Sequence, residues 1–594
     1  MLGLEVNCRF WVLLVLVLGM AATSATANPL TSDNPITPKS LLPGFRQSAW
    51  FHEQIREEWI EPGVRVLLNA SETFDPARPT ELILFATPNG NTIEQTLGSA
   101  MAAGTDWHFD IQHIAAQTRR LRQITPEKNI VLACLQTDGR SWPAWRQKYA
   151  DNAVRIRAIV DGIKSHFAGA PLHITLTCHS GGGSFLFGFL NGGETIPDDI
   201  DRIAFLDANY PYSDTDHHGD KLLAWLRKDT AHHLDIIAYD DRNIMLDGKK
   251  VVGPDGGTFR ATGRMVGFFR KEGLALTESH DGDFTVTTGL GGQILFRVHG
   301  NLQNKILHTV LVGEMNGLLA AMTSGTSKVT AWGKRGGPRA YTDWVQPAAG
   351  IPPRPKDAVG GAAFIRQIQA LAPAAREDAI AVAICRGNLP DFLRKFQTIP
   401  FPVTDALGKE EAVTVEVMPD YLAVGSDGDF VRLPMTPMTA QRIADAFDCV
   451  LSTRKIADVV YQKASVKLEP HPLTEEREAV ATFARHNAII EEQRKGKLLG
   501  LLVVGIKKDV VLTNRLTEKP NRVAIYGWHK LDGLPIQPLT IVHKETYVDY
   551  SHGIRLLKRT VLVDGKPRDC RDILRDPVLS AALSDEGPIL RPTY

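Results

Sequence analysis

Between about residues 60 and 345 the chain alternates short, unbroken apolar runs with segments whose apolar residues recur every three or four positions, and this rhythm restricts the fold more than any other feature. The runs are Val64 to Leu68, Leu82 to Ala86, Ile130 to Leu135, Leu172 to Thr177, Ile203 to Leu206, Leu234 to Ala238 and Ile294 to Val298. A strand with one wet face alternates apolar and polar residues, whereas unbroken runs of this length suit strands covered on both faces. The intervening patterns, such as Ile111 to Leu121 and Val154 to Phe167, have helical period. The expectation is an α/β fold, a mostly parallel sheet with helices on both faces. A glycine- and charge-rich stretch at about 248–292 breaks the rhythm and reads as an insertion over the sheet edge, with a lid as one use.

Pro347, Pro352, Pro353 and Pro355 fall within one short segment, so a stiff, extended linker is expected at 346–360. It would separate a first domain, 60–345, from a C-terminal α+β domain, 361–594. In that second domain Ala379 to Ile384, Val413 to Val417, Leu498 to Val504 and Val523 to Tyr526 read as strands, and Ala440 to Phe447 and Glu475 to Glu492 as helices. Residues 28–59, rich in proline and polar groups, read as a surface arm.

At the start, Arg9 precedes an apolar run from Phe10 to Leu18, then Ala25-Thr26-Ala27, the order of a secretory signal cleaved after Ala27. The run is shorter than the roughly 20 residues of a spanning helix. The mature chain is therefore expected outside the cytosol, secreted or periplasmic, with no integral membrane span. Cys134, Cys178, Cys385, Cys449 and Cys570 remain after cleavage, scattered and odd in number, which does not describe a disulfide framework. Cys134 and Cys178 end apolar runs and read as small buried hydrophobes, with one bridge left open. Lysine plus arginine and aspartate plus glutamate both count 67 in 594 residues, so no global field favours nucleic acid as a partner.

The chemistry concentrates where the fourth run ends. His173-Ile174-Thr175-Leu176-Thr177-Cys178-His179-Ser180-Gly181-Gly182-Gly183 is a strand entering a small-residue turn, followed by a helical run, Ser184 to Leu190. A serine hydroxyl projects above a sheet only from a sharp turn, which needs small residues two before and two after it; Cys178 and Gly182 hold those places. A glycine-rich turn holding an anion at a helix start is the other reading of these residues. In its strand, turn and helix the segment resembles the nucleophile elbow of the α/β-hydrolase superfamily, with Cys178 where glycine is commoner; the resemblance covers about residues 60–345.

That resemblance implies Ser180 as nucleophile, then an acid, then a histidine in chain order. His308 is the expected base, because it follows the last predicted strand and opens the helical run Thr309 to Met322; His299, at the strand end, comes second and His280, in the insertion, third. Asp240 and Asp241 stand after Leu234 to Tyr239, where the family usually supplies its carboxylate, and Asp207, one strand earlier, is the alternative. A carboxylate at a strand end can equally cap a helix or close a turn. Oxyanion donors are expected from Gly181 and from Asn89 and Gly90 in the loop Thr87-Pro88-Asn89-Gly90-Asn91-Thr92, a sequence that also suits a plain turn. Serine acyl transfer needs no cofactor or metal and none is expected; the implied substrate is a small-molecule or polymer-borne ester rather than an amide. The segments Asp106 to Asp110 and Ser141 to Trp145 occupy loops over the sheet, where their tryptophans either pack or stack on substrate.

The C-terminal half resembles no characterised family. Its densest polar constellation is His529, His543, Asp549 and His552, a possible second site for acid–base chemistry or zinc, although the spacing matches no metal motif and structural hydrogen bonding explains it as well. Gly425, Asp427 and Asp429 have the look of a calcium loop without its closing glutamate. Two other functions stay open: an envelope-associated binding protein with a silent hydrolase fold, and a hydrolase whose main site is the C-terminal cluster.

Overall fold

A computed structural model describes residues 41–594 apart from 49, 103, 104, 168, 170 and 349. The expected signal sequence and residues 28–40 of the expected arm lie outside the described residues. No helix among them is long and apolar enough to cross a membrane.

The first sheet has eleven strands: β1 (Arg46–Gln47), β2 (Glu53–Ile60), β3 (Val64–Ser71), β4 (Thr80–Ala86), β5 (Asn129–Thr137), β6 (Leu172–His179), β7 (Ile200–Leu206), β8 (His233–Tyr239), β9 (Thr277–Asp281), β10 (Phe284–Gly289) and β11 (Ile294–His299). Their spatial order is β1-β2-β3-β5-β4-β6-β7-β8-β11-β10-β9. β5, β4, β6, β7, β8 and β11 run parallel, while β2 and β3 are antiparallel to their neighbours at one edge and the β9–β10 hairpin at the other. β4 and β5 are buried at every position, which is why their sequences are continuous apolar runs.

Helices α1 (Ile93–Leu97), α2 (Ile114–Ile124), α3 (Trp142–Lys148), α4 (Asn152–Ser165), α5 (Gly183–Asn191), α6 (His218–Lys228), α7 (Thr258–Lys271) and α8 (Gly317–Thr323) flank this sheet. On one face Ile156, Phe185, Phe187, Leu222 and Phe269 join the strands in one core; on the other Ile114, Leu121, Leu311 and Leu318 form a second. A fully buried side chain of this size contributes about 1.5–3 kcal/mol, so the two-sided cover holds the parallel strands in place. Because those strands share a direction, the loops after β4, β6, β7, β8 and β11 all leave from one edge of the sheet.

Three local expectations are corrected. The arm is not peripheral from residue 46 onward, since β1 and β2 are strands of the sheet and Trp50 enters the C-terminal core. The stretch at 248–292 is not an excursion: α7 packs Ala261, Met265 and Phe269 on the sheet, and β9 and β10 extend it. The helix expected at Thr309 begins only at Gly317, because residues 309–316 form tight turns closed by Met315 N–H to Val310 O and Gly317 N–H to Val312 O.

The C-terminal half is separate and sheet-rich. Its main sheet runs from Pro535–Thr540 through Ile525–His529, Lys508–Leu512 and Cys449–Thr453 to Leu556–Lys558, Glu410–Val417, Thr560–Val563 and Lys566–Asp569. Ala379 to Ile384, expected as a strand, lies inside the helix Pro373–Cys385, whose Pro373 at the first turn is suited to helix initiation. The apolar period there was shared by both structures, and tertiary packing of Ile380 and Ile384 selected the helix.

Candidate active site

β6 ends at His179, Ser180 begins a single tight turn, and α5 starts at Gly183. Ser180 adopts φ 53°, a left-handed conformation that costs energy for any residue with a Cβ and persists where surroundings enforce it. Three glycines make the turn possible. A Cβ on Gly182 would lie 2.3 Å from the Ala86 carbonyl oxygen, one on Gly183 1.9 Å from that of Ala208, and one on Gly181 2.1 Å from Asn89 Oδ1. Cys178 is accommodated because its side chain points into the apolar core. Ser180 itself keeps partial exposure.

β7 ends one strand over, and Asp207 directly follows it, also left-handed at φ 49°. His308 Nδ1 and Asp207 Oδ2 are 2.5 Å apart. The carboxylate is 2% exposed while about a third of the imidazole faces solvent. Burial opposes the imidazolium, but the hydrogen bond and charge of Asp207, with the charge of Asp241, outweigh it and raise His308 above the ordinary histidine value. His179, buried, lies tilted against the His308 ring at 4.5 Å and donates from Nε2 to the His308 carbonyl at 3.0 Å. Burial and then the charge of His308 hold His179 well below the ordinary value, so it serves as a neutral donor fixing the backbone of its neighbour.

The carboxylate on His308 is therefore Asp207, in place of Asp240 or Asp241. Asp240 turns outward and accepts two bonds from Arg242, at 2.8 and 2.6 Å. Asp241 turns to the start of α7, where it accepts from Thr258 N–H at 2.7 Å; burial and the nearby Asp207 charge raise its pKa. Thr258, which sequence reasoning placed in an anonymous insertion, donates its hydroxyl to Asp207 Oδ1 at 2.5 Å. His299 is engaged apart from Asp207: its Nδ1 accepts from Asn301 N–H at 3.0 Å. His280 sits on the exposed strand β9.

Of the expected oxyanion donors, Gly181 follows Ser180 directly and Asn89 packs its side chain against it. Gly90 is corrected: its N–H bonds the Arg140 carbonyl at 2.8 Å and is not free to receive an oxyanion. A groove of about 290 Å³ is lined by Met101, Trp107, Asp110, Ile111, Glu314 and Arg339 together with Thr309 and Val310, which directly follow His308 in the chain. Trp107 is 63% exposed, with His108 stacked on it at 3.9 Å. Trp142 and Trp145 are packing residues, 1% and 3% exposed.

The C-terminal constellation divides. His529 bonds Asp458 at 2.9 Å and stacks on Tyr461, in an environment of its own. His543 stacks on Tyr547, whose ring meets His552 edge-on, and Asp549 accepts from Arg477, Tyr547 and Ser551. Burial pushes His552 down to about 4. Among the described residues no group of three or more His, Cys, Asp or Glu side chains is arranged to hold a metal ion.

No family model matches the sequence, and no curated protein matches it. Among solved structures the chain is similar to the siderophore hydrolase EstB from Aspergillus nidulans, at 11% identity and TM-score 0.24, covering 49% of this chain and 97% of that one. It is also similar to Thermogutta terrifontis esterase 2 phosphorylated by paraoxon, at 10% identity and TM-score 0.21, covering 40% of this chain and 82% of that one.

Proposed function

We propose that the chain is a serine hydrolase of the α/β-hydrolase type that cleaves carboxylic esters through an acyl-enzyme on Ser180. The observation that carries this reading is the Asp207–His308 hydrogen bond, made at the same sheet edge from which the left-handed Ser180 turn leaves β6. In it, Asp207 fixes the imidazole with Nδ1 protonated, which leaves Nε2 free to take the serine proton; the hydroxyl then attacks the ester carbonyl. The N–H of Gly181, with a donor from Asn89, receives the negative charge that develops on the carbonyl oxygen. The imidazolium returns its proton to the departing alcohol, and water releases the acid by the same steps. The apolar run Phe10 to Leu18 followed by Ala25-Thr26-Ala27, read as a secretory signal, supports action outside the cytosol, and the groove in which Met101, Trp107, Ile111 and Val310 meet supports a substrate with an apolar portion.

The test is labelling of the purified protein with a fluorophosphonate, compared with Ser180→Ala, and a peptide map of the modified site. Modification at Ser180 that is lost in the variant is expected; folded protein that resists the probe would refute the proposal.

A further inference from the structure

The loop that carries Asn89 leads directly into α1, whose first turn meets a charge from the other half of the molecule. Thr92 caps α1 reciprocally with Gln95, and the Ile93 N–H bonds Gln136 Oε1 at 2.8 Å. Glu94, in the first turn, accepts from Arg65 of β3 at 2.6 and 3.2 Å. Arg65 is already shared, since it also bonds Glu57 of β2 at 2.9 Å. The hydrolase half thus sets one guanidinium against two carboxylates, with Glu57 and Arg65 at 7% and 6% exposure. Buried charge in unequal numbers is costly.

The C-terminal half supplies the balance. Arg559, between the strands Leu556–Lys558 and Thr560–Val563, reaches Glu94 at 3.4 Å while anchored to Asp569 at 2.7 Å. Arg575 bonds Glu57 at 3.1 Å, and Arg571 stands 3.9 Å from the same carboxylate. Burial opposes the Glu94 carboxylate, but Arg65 and then Arg559 hold it well below its ordinary value.

We propose that the C-terminal domain is a positioning element of the hydrolytic site: through Arg559 it holds Glu94, and with it α1 and the Asn89 loop, in register with Ser180. This rests on the reading of Ser180 as nucleophile and Asn89 as oxyanion donor. It gives the second domain a role that needs no second active site. Arg559 touches no reacting atom, so its removal acts on the geometry of the oxyanion donor, where a misplacement of about 1 Å costs up to about 100-fold in rate.

The experiment uses the full-length chain with Arg559→Met, Arg559→Lys and, as a control for domain docking in general, Gln47→Ala, which removes the Arg442–Gln47 contact together with the Gln47–Glu72 hydrogen bond, both outside this network. Each is measured for Tm, Ser180 labelling, kcat and KM on a p-nitrophenyl ester, and inhibition by an aryl boronic acid that binds serine as a tetrahedral anion. Arg559→Met, while folded, is expected to lose about 10-fold or more in kcat with little change in KM. Boronate affinity should fall in step, Arg559→Lys should recover part of the loss, and Gln47→Ala should retain kcat. Should Arg559→Met fail to fold, Asp569→Asn, which weakens the anchor of Arg559 while an amide oxygen can still cap the Arg571 N–H, carries the same expectation at smaller size. If the folded variant keeps wild-type kcat, or if Gln47→Ala loses as much, the positioning role is overturned while Ser180 labelling still upholds the hydrolase. A wild-type chain that is not labelled at Ser180 would overturn both.

Discussion

Asp207→Asn probes the site more sharply than deletion of the side chain, because the orientation of the amide sets the tautomer of His308. The Thr258 hydroxyl stands within reach of both Asp207 Oδ1 and Asp241 Oδ2; where it keeps donating to position 207, the asparagine holds its carbonyl oxygen toward Thr258 and turns its NH₂ toward His308 Nδ1. The imidazole must then accept at Nδ1 and carry its proton on Nε2, the nitrogen that should receive the serine proton. A wrong tautomer in a Ser-His-Asp arrangement costs roughly 10⁴-fold in kcat, about 5 kcal/mol of transition-state stabilisation. Steady-state hydrolysis of p-nitrophenyl acetate and the rate of fluorophosphonate labelling read this loss directly. The same geometry predicts a partial rescue. In Asp207→Asn/Thr258→Val no hydroxyl claims the oxygen, so the amide is free to flip, present its carbonyl to Nδ1–H and restore the working tautomer. The double variant should be faster than Asp207→Asn alone, whereas Thr258→Val in the wild-type background removes a donor from the buried Asp207 carboxylate and should itself slow hydrolysis. A loss under 10-fold for Asp207→Asn, combined with a large loss for Asp241→Asn, would refute the assignment of the carboxylate.

In the proposed mechanism His308 acts as a base only when neutral, and its pKa lies above the ordinary 6.5, so kcat/KM should rise with pH along a limb centred above that value, and the limb should move downward in Asp207→Asn. The raised value also means that this pair's contribution to stability is complete below the unfolded pKa and is lost as pH rises through the folded one; denaturant midpoints across that range check the sign. Gly183→Ala drives a Cβ to 1.9 Å from the Ala208 carbonyl, for a cost of about 3 kcal/mol or more, and an unchanged Tm would contradict the packing described. Trp107→Ala should raise KM for aryl esters by roughly three- to tenfold relative to short alkyl esters, as expected for loss of an aromatic contact; equal effects on both classes would place the ring outside the binding groove. Among the described residues Cys134, Cys178, Cys385, Cys449 and Cys570 are all free and buried, so thiol titration of the denatured chain should find each of them reduced and reductant should leave Tm unchanged.

The parallel sheet was legible because its strands are covered on both faces and leave continuous apolar runs. β2 was not, since its sequence, Glu53–Ile60, has neither an unbroken apolar run nor a strict alternation, and the consecutive Arg56, Glu57 and Glu58 resemble a solvated arm. The charges are there to meet partners distant in sequence, Arg575 among them. The helix α7 and strands β9 and β10 were hidden for a related reason: β9 is exposed throughout and carries no apolar signal. Ser180 stood out because strand, tight turn and helix are contiguous in the chain, so the local sequence alone must contain the small residues. Gly90 misled because the same feature that frees a backbone N–H also lets it close a turn, and Arg140, 50 positions on, takes that N–H.

The choice among Asp207, Asp240 and Asp241 shows where local reasoning stops. All three stand at strand ends on the same sheet edge, and any of them could orient an imidazole descending from the loop after β11. The sorting comes from partners that lie elsewhere in the chain. Arg242 draws Asp240 outward, and the first N–H groups of α7 draw Asp241 to the helix start, where a carboxylate complements the helix dipole. Asp207 remains, aimed by its left-handed backbone and by the Thr258 hydroxyl, with His308 as the donor to its second oxygen. Burial first, and then the charge of Asp207, raises the pKa of Asp241. Thr258 hydrogen-bonds both, so α7 does more than cover the sheet: it assigns one aspartate to the helix and leaves the other to the histidine.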